Sequence, residues 1–155
     1  MILQNLPHPL EFRSSVQQNL GVKTYEQLVL DKESDVNADY SLITLKDNII
    51  TIPQNVYSMM CIKASLLFTT PKSSDTQLFL RIHEHANGET DQAKAKEIAK
   101  IGLTAHGDQT LFNYEIPTSV SPSTSGYSFA VYAYNDGCSL YPGRSRIMVT
   151  PFAHL

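Results

Sequence analysis

Apolar and polar residues alternate most plainly from Ser58 to Thr70, SMMCIKASLLFTT. Met60, Ile62, Ala64, Leu66 and Phe68 fall on one side of an extended chain, and Cys61, Lys63, Ser65 and Thr69 on the other. A period of two predicts a strand with one buried face. Its thirteen residues are many for a strand, so it is expected in mid-sheet, paired along both edges. A second stretch, Gly126–Asn135 (GYSFAVYAYN), sets Tyr127, Phe129, Val131 and Ala133 against Ser128, Ala130, Tyr132 and Tyr134. A third, Gln77–Glu84 (QLFLRIHE), sets Leu78, Leu80 and Ile82 against Phe79, Arg81 and His83.

Shorter runs complete the pattern. Leu42–Leu45 and Ile49–Pro53 flank an Asp47-Asn48 turn, and Pro53 ends its ladder because it has no N–H. Glu97–Ala105 reads as a strand, although AKAKEIAK also admits a helix. Thr110–Ile116 and Arg146–Phe152 read as strands. Between them lie polar links: Pro71–Asp75, Ala86–Ala95 (a surface excursion or brief helix), His106–Asp108, Pro117–Ser125, Asn135–Gly137 and Pro142-Gly143. Eight or nine strands with frequent turn signals and almost no helix predict an all-β fold, an antiparallel β-sandwich or jelly roll, over residues 41–155.

Met1–Tyr40 differs, because its apolar residues are scattered among Asn, Gln, Ser and Asp without a sustained period. It is expected to be an irregular N-terminal arm carrying one short helix. Thr24-Tyr25-Glu26-Gln27 has the capping-box form, Leu28 and Val29 follow on its inner side, and Asp31–Asp35 ends it in a polar link. Two readings of 1–40 stay open: a lead-in packed on its own domain, or an arm that reaches a neighbouring subunit.

Composition narrows the function classes. The chain has 155 residues, enough to bury roughly 68–70% of its unfolded surface without a disulfide. The net charge is −3 with no Lys/Arg cluster, so no nucleic-acid partner is expected. No apolar run reaches the ~18 residues of a spanning helix, so no membrane partner is expected. MILQNLPHPL lacks a basic start and is interrupted by Pro7 and Pro9, unlike a secretory signal. Cys61, in mid-strand, and Cys138, in a turn, are expected as free thiols.

Ile50-Thr51-Ile52-Pro53, the long strand Ser58–Thr70, the aromatic strand and turn Gly126–Gly137, and Ile147–Phe152 occur in an order that resembles the jelly-roll domains of the C1q/tumour-necrosis-factor-like group. The resemblance covers Leu42 to Phe152. The chain departs from secreted members in showing no signal peptide, collagen stalk or clear disulfide. Small jelly rolls led by an irregular arm also resemble the decoration (cement) proteins of tailed phages. That resemblance implies a virion protein made in the host cytoplasm and bound to the outer capsid surface. It would be a homo-trimer or homo-dimer bridging copies of the major capsid protein, with the arm ordering on binding. The interface candidates are Tyr25 and Leu28 on the arm, and Tyr132 and Tyr134 on the strand face opposite Phe129 and Val131. Fibre or spike heads share the architecture and imply receptor binding through Pro117–Ser125 and Ala86–Lys96.

Chemistry finds little purchase. His83-Glu84-His85 and Glu89 read H-x-H-x3-E, which resembles the first metal motif of the cupins and would suit Fe, Mn, Ni or Zn. That family's flanking glycines are replaced by Gln77 and Lys96. Its second motif has only His106 as a candidate, and Arg81 shares the strand face with His83. A cupin-like metalloenzyme is therefore the lesser alternative, and the histidines are expected to face solvent near a loop. No G-x-S-x-G elbow or paired carboxylate set occurs, and Cys61 reads as inert. No catalytic residue and no cofactor are expected.

Overall fold

A computed structural model describes residues 10–20, 24–32, 43–52, 57–69, 76–85, 89–105, 109–119, 127–134, 139–141 and 145–154. The strands are β1 (Leu10–Arg13), β2 (Gln18–Asn19), β3 (Tyr25–Gln27), β4 (Asp31–Lys32), β5 (Thr44–Lys46), β6 (Ile49–Ile52) and β7 (Tyr57–Thr69). They continue with β8 (Thr76–His85), β9 (Lys96–Ala105), β10 (Gln109–Ser119), β11 (Tyr127–Tyr134), β12 (Ser139–Leu140) and β13 (Arg146–His154). A 3-10 turn, Gln92–Lys94, precedes β9, with the Asp91 side chain capping its start. The expected polar links at 71–75, 86–88, 106–108, 135–137 and 142–143, together with Cys138, lie outside the described residues.

The strands form two antiparallel sheets. One runs β2-β12-β7-β13-β1-β4, with β10 on the other edge of β7. The second runs β5-β6-β11-β8-β9, with β3 also on β11. Strand β7 is central, as its length predicts: β10 lines one edge from Gln109↔Thr69 to Ser119↔Met59, and β13 and β12 line the other. Its inward residues Ile62, Ala64, Leu66 and Phe68 are buried, as are Leu80 and Ile82 of β8 and Phe129, Val131 and Ala133 of β11. These inner faces close on one core, the two-layer solution open to sheets that are apolar on one side.

Three expectations change. First, Thr24–Gln27 is not a helix. Tyr25, Glu26 and Gln27 pair with Tyr134, Ala133 and Tyr132 of β11, and Leu28 N–H continues the ladder to the Val131 carbonyl at 2.9 Å. Gln27 Nε2 donates to the Asp47 carbonyl at 2.9 Å instead of reaching back to a cap. A lone capped turn pays the helix nucleation cost without the propagation that repays it, so an open sheet edge wins.

Second, the described residues of 1–40 belong to the sheets. β1 pairs with β13 and β4, and Leu10, Phe12, Leu20, Leu28 and Leu30 enter the core. Strands of two to four residues are too short to show a period, which is why this region reads as patternless.

Third, Pro117–Ser119 continues β10 instead of starting a loop. Pro117 is tolerated because β10 is an edge strand among the described residues, and Pro151 of β13 lies beyond the four residues that β1 pairs. AKAKEIAK resolves into the 3-10 turn followed by β9.

Candidate functional site

The polar candidates converge on the outer face of the second sheet. Alternation along β8 sends Phe79, Arg81, His83 and His85 outward. The register of β11 sets Tyr134 beside Phe79, Tyr132 beside Arg81, Ala130 beside His83 and Ser128 beside His85. Strand β9 adds Glu97 opposite His83 and Lys100 opposite Arg81, with a bulge between Ile82 and His83. The 3-10 turn lies against β8.

Both histidines are buried, at 6% (His83) and 2% (His85) exposure, which corrects the expectation that they face solvent. Tyr132, 1% exposed, is the cover: its ring lies 4.7 Å from the His83 ring and 6.0 Å from the His85 ring. His85 is fully engaged. Its Nδ1 is 3.1 Å from the Glu89 carbonyl and its Nε2 is 2.8 Å from the Tyr132 hydroxyl. A carbonyl only accepts, so Nδ1–H donates to it and Nε2 accepts from the Tyr132 O–H. His83 has no hydrogen-bond partner at either ring nitrogen among the described residues.

Charge is arranged around this pair. Arg81 lays its guanidinium 3.8 Å from the Tyr25 ring centroid, and its Nε is 3.3 Å from Glu97 Oε2. That second contact is an ion pair without hydrogen-bond alignment, so Nε remains without a hydrogen bond. Burial pushes the His83 pKa down, with Arg81 and His85 adding to the fall and Glu97 opposing it. Burial, helped by Asp91, pushes the Tyr132 hydroxyl up. Between the turn and the sheet runs a groove of about 560 Å³, lined by Arg81, His83, Glu97, Ala95 and the turn residues Asp91, Gln92 and Ala93.

The H-x-H-x3-E residues do not assemble as ligands. Glu89 meets His85 through its backbone carbonyl, while its carboxylate accepts from the Asp91 N–H and pairs with Lys94 at 3.4 Å. The Asp91 N–H, followed by Lys94, holds that carboxyl below its usual range. His85 Nε2 is occupied by Tyr132. No cluster of three His, Cys, Asp or Glu side chains able to hold a metal occurs among the described residues. His106 lies outside them.

The four interface candidates separate. Leu28 is fully buried in the core, and Tyr132 is sealed beneath the outer face, so neither offers a surface within this chain. Short-strand pairing pulls Leu28 inward, and β3 with the β5–β6 hairpin covers Tyr132 through Tyr25 and Ile49. Tyr25 and Tyr134 are half-buried, with ring centroids 5.1 Å apart, and Phe79 lies 5.8 Å from Tyr134. Sequence alone gave no reason to join Arg81, Glu97 and Asp91. Alternation places Arg81 and His83 on one face, but only the β8–β9 register brings Glu97 to them.

On the opposite sheet, the Cys61 thiol donates to Glu115 Oε1 at 2.9 Å. Burial and that carboxylate push its pKa up to about 11. Cys61 is unpaired, and its chemistry is that of an inert thiol. The outer side of β10 leaves Leu111 56% exposed, with Asn113 and Glu115 also exposed.

No protein-family model matches the sequence, and no curated protein matches it. Solved structures do match. Eiger TNF from S. frugiperda aligns with a TM-score of 0.59 at 10% identity, covering 97% of this chain and 96% of that one. Murine APRIL at pH 5.0 aligns with a TM-score of 0.65 at 7% identity, covering 93% of this chain and 98% of that one. Murine APRIL at pH 8.0 gives 0.64 at 8% identity over the same shares, 93% and 98%. At such identities the likeness establishes the fold alone: a TNF-like jelly roll.

Proposed function

We propose that this TNF-like jelly roll is a non-enzymatic structural protein of a virus particle, a decoration protein that bridges copies of the major capsid protein as a homo-trimer or homo-dimer. The observation that carries the proposal is strand β10. It is eleven residues long, it has β7 as its only ladder partner among the described residues, and its outward Leu111 is 56% exposed. A long edge strand with an exposed apolar side chain invites pairing with another chain. On a symmetric shell, each weak contact is repeated, and linked contacts multiply avidity. The bridging role moves from an arm at 1–40, whose described residues are sheet and core, to this sheet edge and face.

Native mass spectrometry should give a metal-free trimer or dimer. Leu111→Lys, at an exposed position, should shift it to monomer and abolish co-sedimentation with capsids while leaving the thermal midpoint within about 1–2 °C. Capsid binding unchanged by that substitution would remove β10 from the interface. A receptor-binding fibre head is the second reading, favoured by the groove that Asp91, Gln92, Ala93 and Ala95 wall; binding to host cells and not to capsids would select it.

A further inference from the structure

We propose that the groove between the 3-10 turn and the second sheet binds a neutral saccharide, with His83 at its floor. This does not depend on what strand β10 meets. His83 is 6% exposed, lines the groove, and has no hydrogen-bond partner at Nδ1 or Nε2 among the described residues. An imidazole buried this far is costly unless both nitrogens are satisfied. The neutral ring carries one N–H donor and one acceptor lone pair. Its complement must therefore both donate and accept.

That requirement sorts the ligand classes. A carboxylate accepts only, so it would leave the acceptor nitrogen of a neutral His83 unsatisfied, and a carboxylate or a phosphate would meet the carboxylates of Asp91 and Glu97. An ammonium group donates only, so it would leave the N–H of a neutral His83 without an acceptor. A metal ion finds no ligand cluster among the described residues and meets the Arg81 guanidinium. A hydroxyl both donates and accepts, and a polyol carries several.

The remaining lining suits one. Asp91 and Glu97 offer acceptors, Gln92 offers both functions, and Ala93 and Ala95 give methyl surface for the C–H face of a pyranose ring. The Arg81–Glu97 ion pair compensates its own charge, so the groove does not demand a charged guest. Its volume of about 560 Å³ lies within the ~300–1,000 Å³ of small-molecule sites.

The test follows the ring nitrogens by ¹⁵N NMR in the full chain. The probes are methyl β-galactoside, methyl α-glucoside and methyl α-mannoside, each titrated to tens of millimolar, with inorganic phosphate and Zn²⁺ as comparison. The His83 resonances should shift saturably with at least one glycoside, while those of His85, already bonded at both nitrogens, stay in place. Read instead from the backbone amide shifts of the turn residues Asp91, Gln92, Ala93 and Ala95 in the same titration, His83→Phe should abolish the response. Gln92→Ala, on the turn and clear of the core, should weaken it by about fivefold, the effect of one neutral hydrogen bond, and serves if His83→Phe fails to fold. No saturable shift with any glycoside, a shift with phosphate or Zn²⁺ alone, or an equal response in Gln92→Ala would overturn the proposal.

Discussion

Cys61 and His83 are both buried titratable groups, but burial moves them in opposite directions because it penalises whichever form is charged. For Cys61, burial and the hydrogen bond to Glu115 raise the thiol from 9.0 to about 11. A shift of that size cuts the thiolate at pH 8 by roughly a hundredfold, so alkylation by iodoacetamide should be about that much slower than for a free cysteine. In a Cys138→Ser background, which leaves one thiol, Glu115→Gln should move the pH profile of alkylation down toward 9.0. A profile already centred near 9.0 would contradict the buried thiol.

For His83, the folded-state pKa is depressed below 6.5, so the unfolded chain binds the extra proton first. Its contribution to stability is fully present above about pH 6.5 and is lost as pH falls from there through the depressed value. The groups facing it are Arg81 and His85 on its own strand, Glu97 on β9, Tyr132 on β11 and Asp91 on the turn. Urea midpoints measured from pH 7.5 to 5 should fall, and His83→Phe should flatten that fall in this window.

At the scale of elements, short local signals succeeded where the chain turns back on itself and failed where it needed a partner. Asp47 and Asn48 adopt φ of 53° and 59°, the two positive dihedrals of a tight hairpin turn joining β5 and β6. Asn48 does more than turn: its Oδ1 accepts from the Leu30 N–H at 3.0 Å, while the Asp47 carbonyl accepts from Gln27. Asn48→Val should therefore cost about 2–3 kcal/mol, combining left-handed strain with a lost hydrogen bond. Asn48→Gly should cost only about 1 kcal/mol, because it keeps the dihedral and loses the bond. Chemical denaturation of both variants checks the order; equal costs would deny the strain.

At the scale of the molecule, the described residues among the first forty, 10–20 and 24–32, are a structural component of the sandwich. Leu10, Phe12, Leu20, Leu28 and Leu30 are each 5% exposed or less. Each buried side chain of this kind is worth about 1.5–3 kcal/mol, and a domain's net stability is only ~5–15 kcal/mol. A chain lacking residues 1–40 should therefore show no cooperative thermal transition by circular dichroism. A sharp transition in that truncation would mean that β1 to β4 are dispensable. The same truncation cannot serve as a capsid-binding test, which is why the sheet-edge substitution Leu111→Lys is the one to use.

How much could be read before folding depends on the range of the physics involved. Strands of eight to thirteen residues, β7, β8 and β11, display their faces in the linear pattern, because every second side chain must enter the same core. That pattern, with the turn residues, was enough for the fold class and for the faces of Leu66, Phe129 and Ile82. It was not enough for strands of two to four residues, whose conformation is set by the edge they pair with: Tyr25–Gln27 has the local form of a helix start and becomes a strand because β11 is there. Nor did it reveal the candidate site. His83 and His85 look alike in sequence, two apart on one strand. Yet one is satisfied by the Glu89 carbonyl and the Tyr132 hydroxyl, and the other has no hydrogen-bond partner at either buried nitrogen among the described residues. Alternation is a property of the chain, whereas register between strands, the coverage of a sheet's outer face and the partners of a buried ring arise only when segments distant in sequence are packed together.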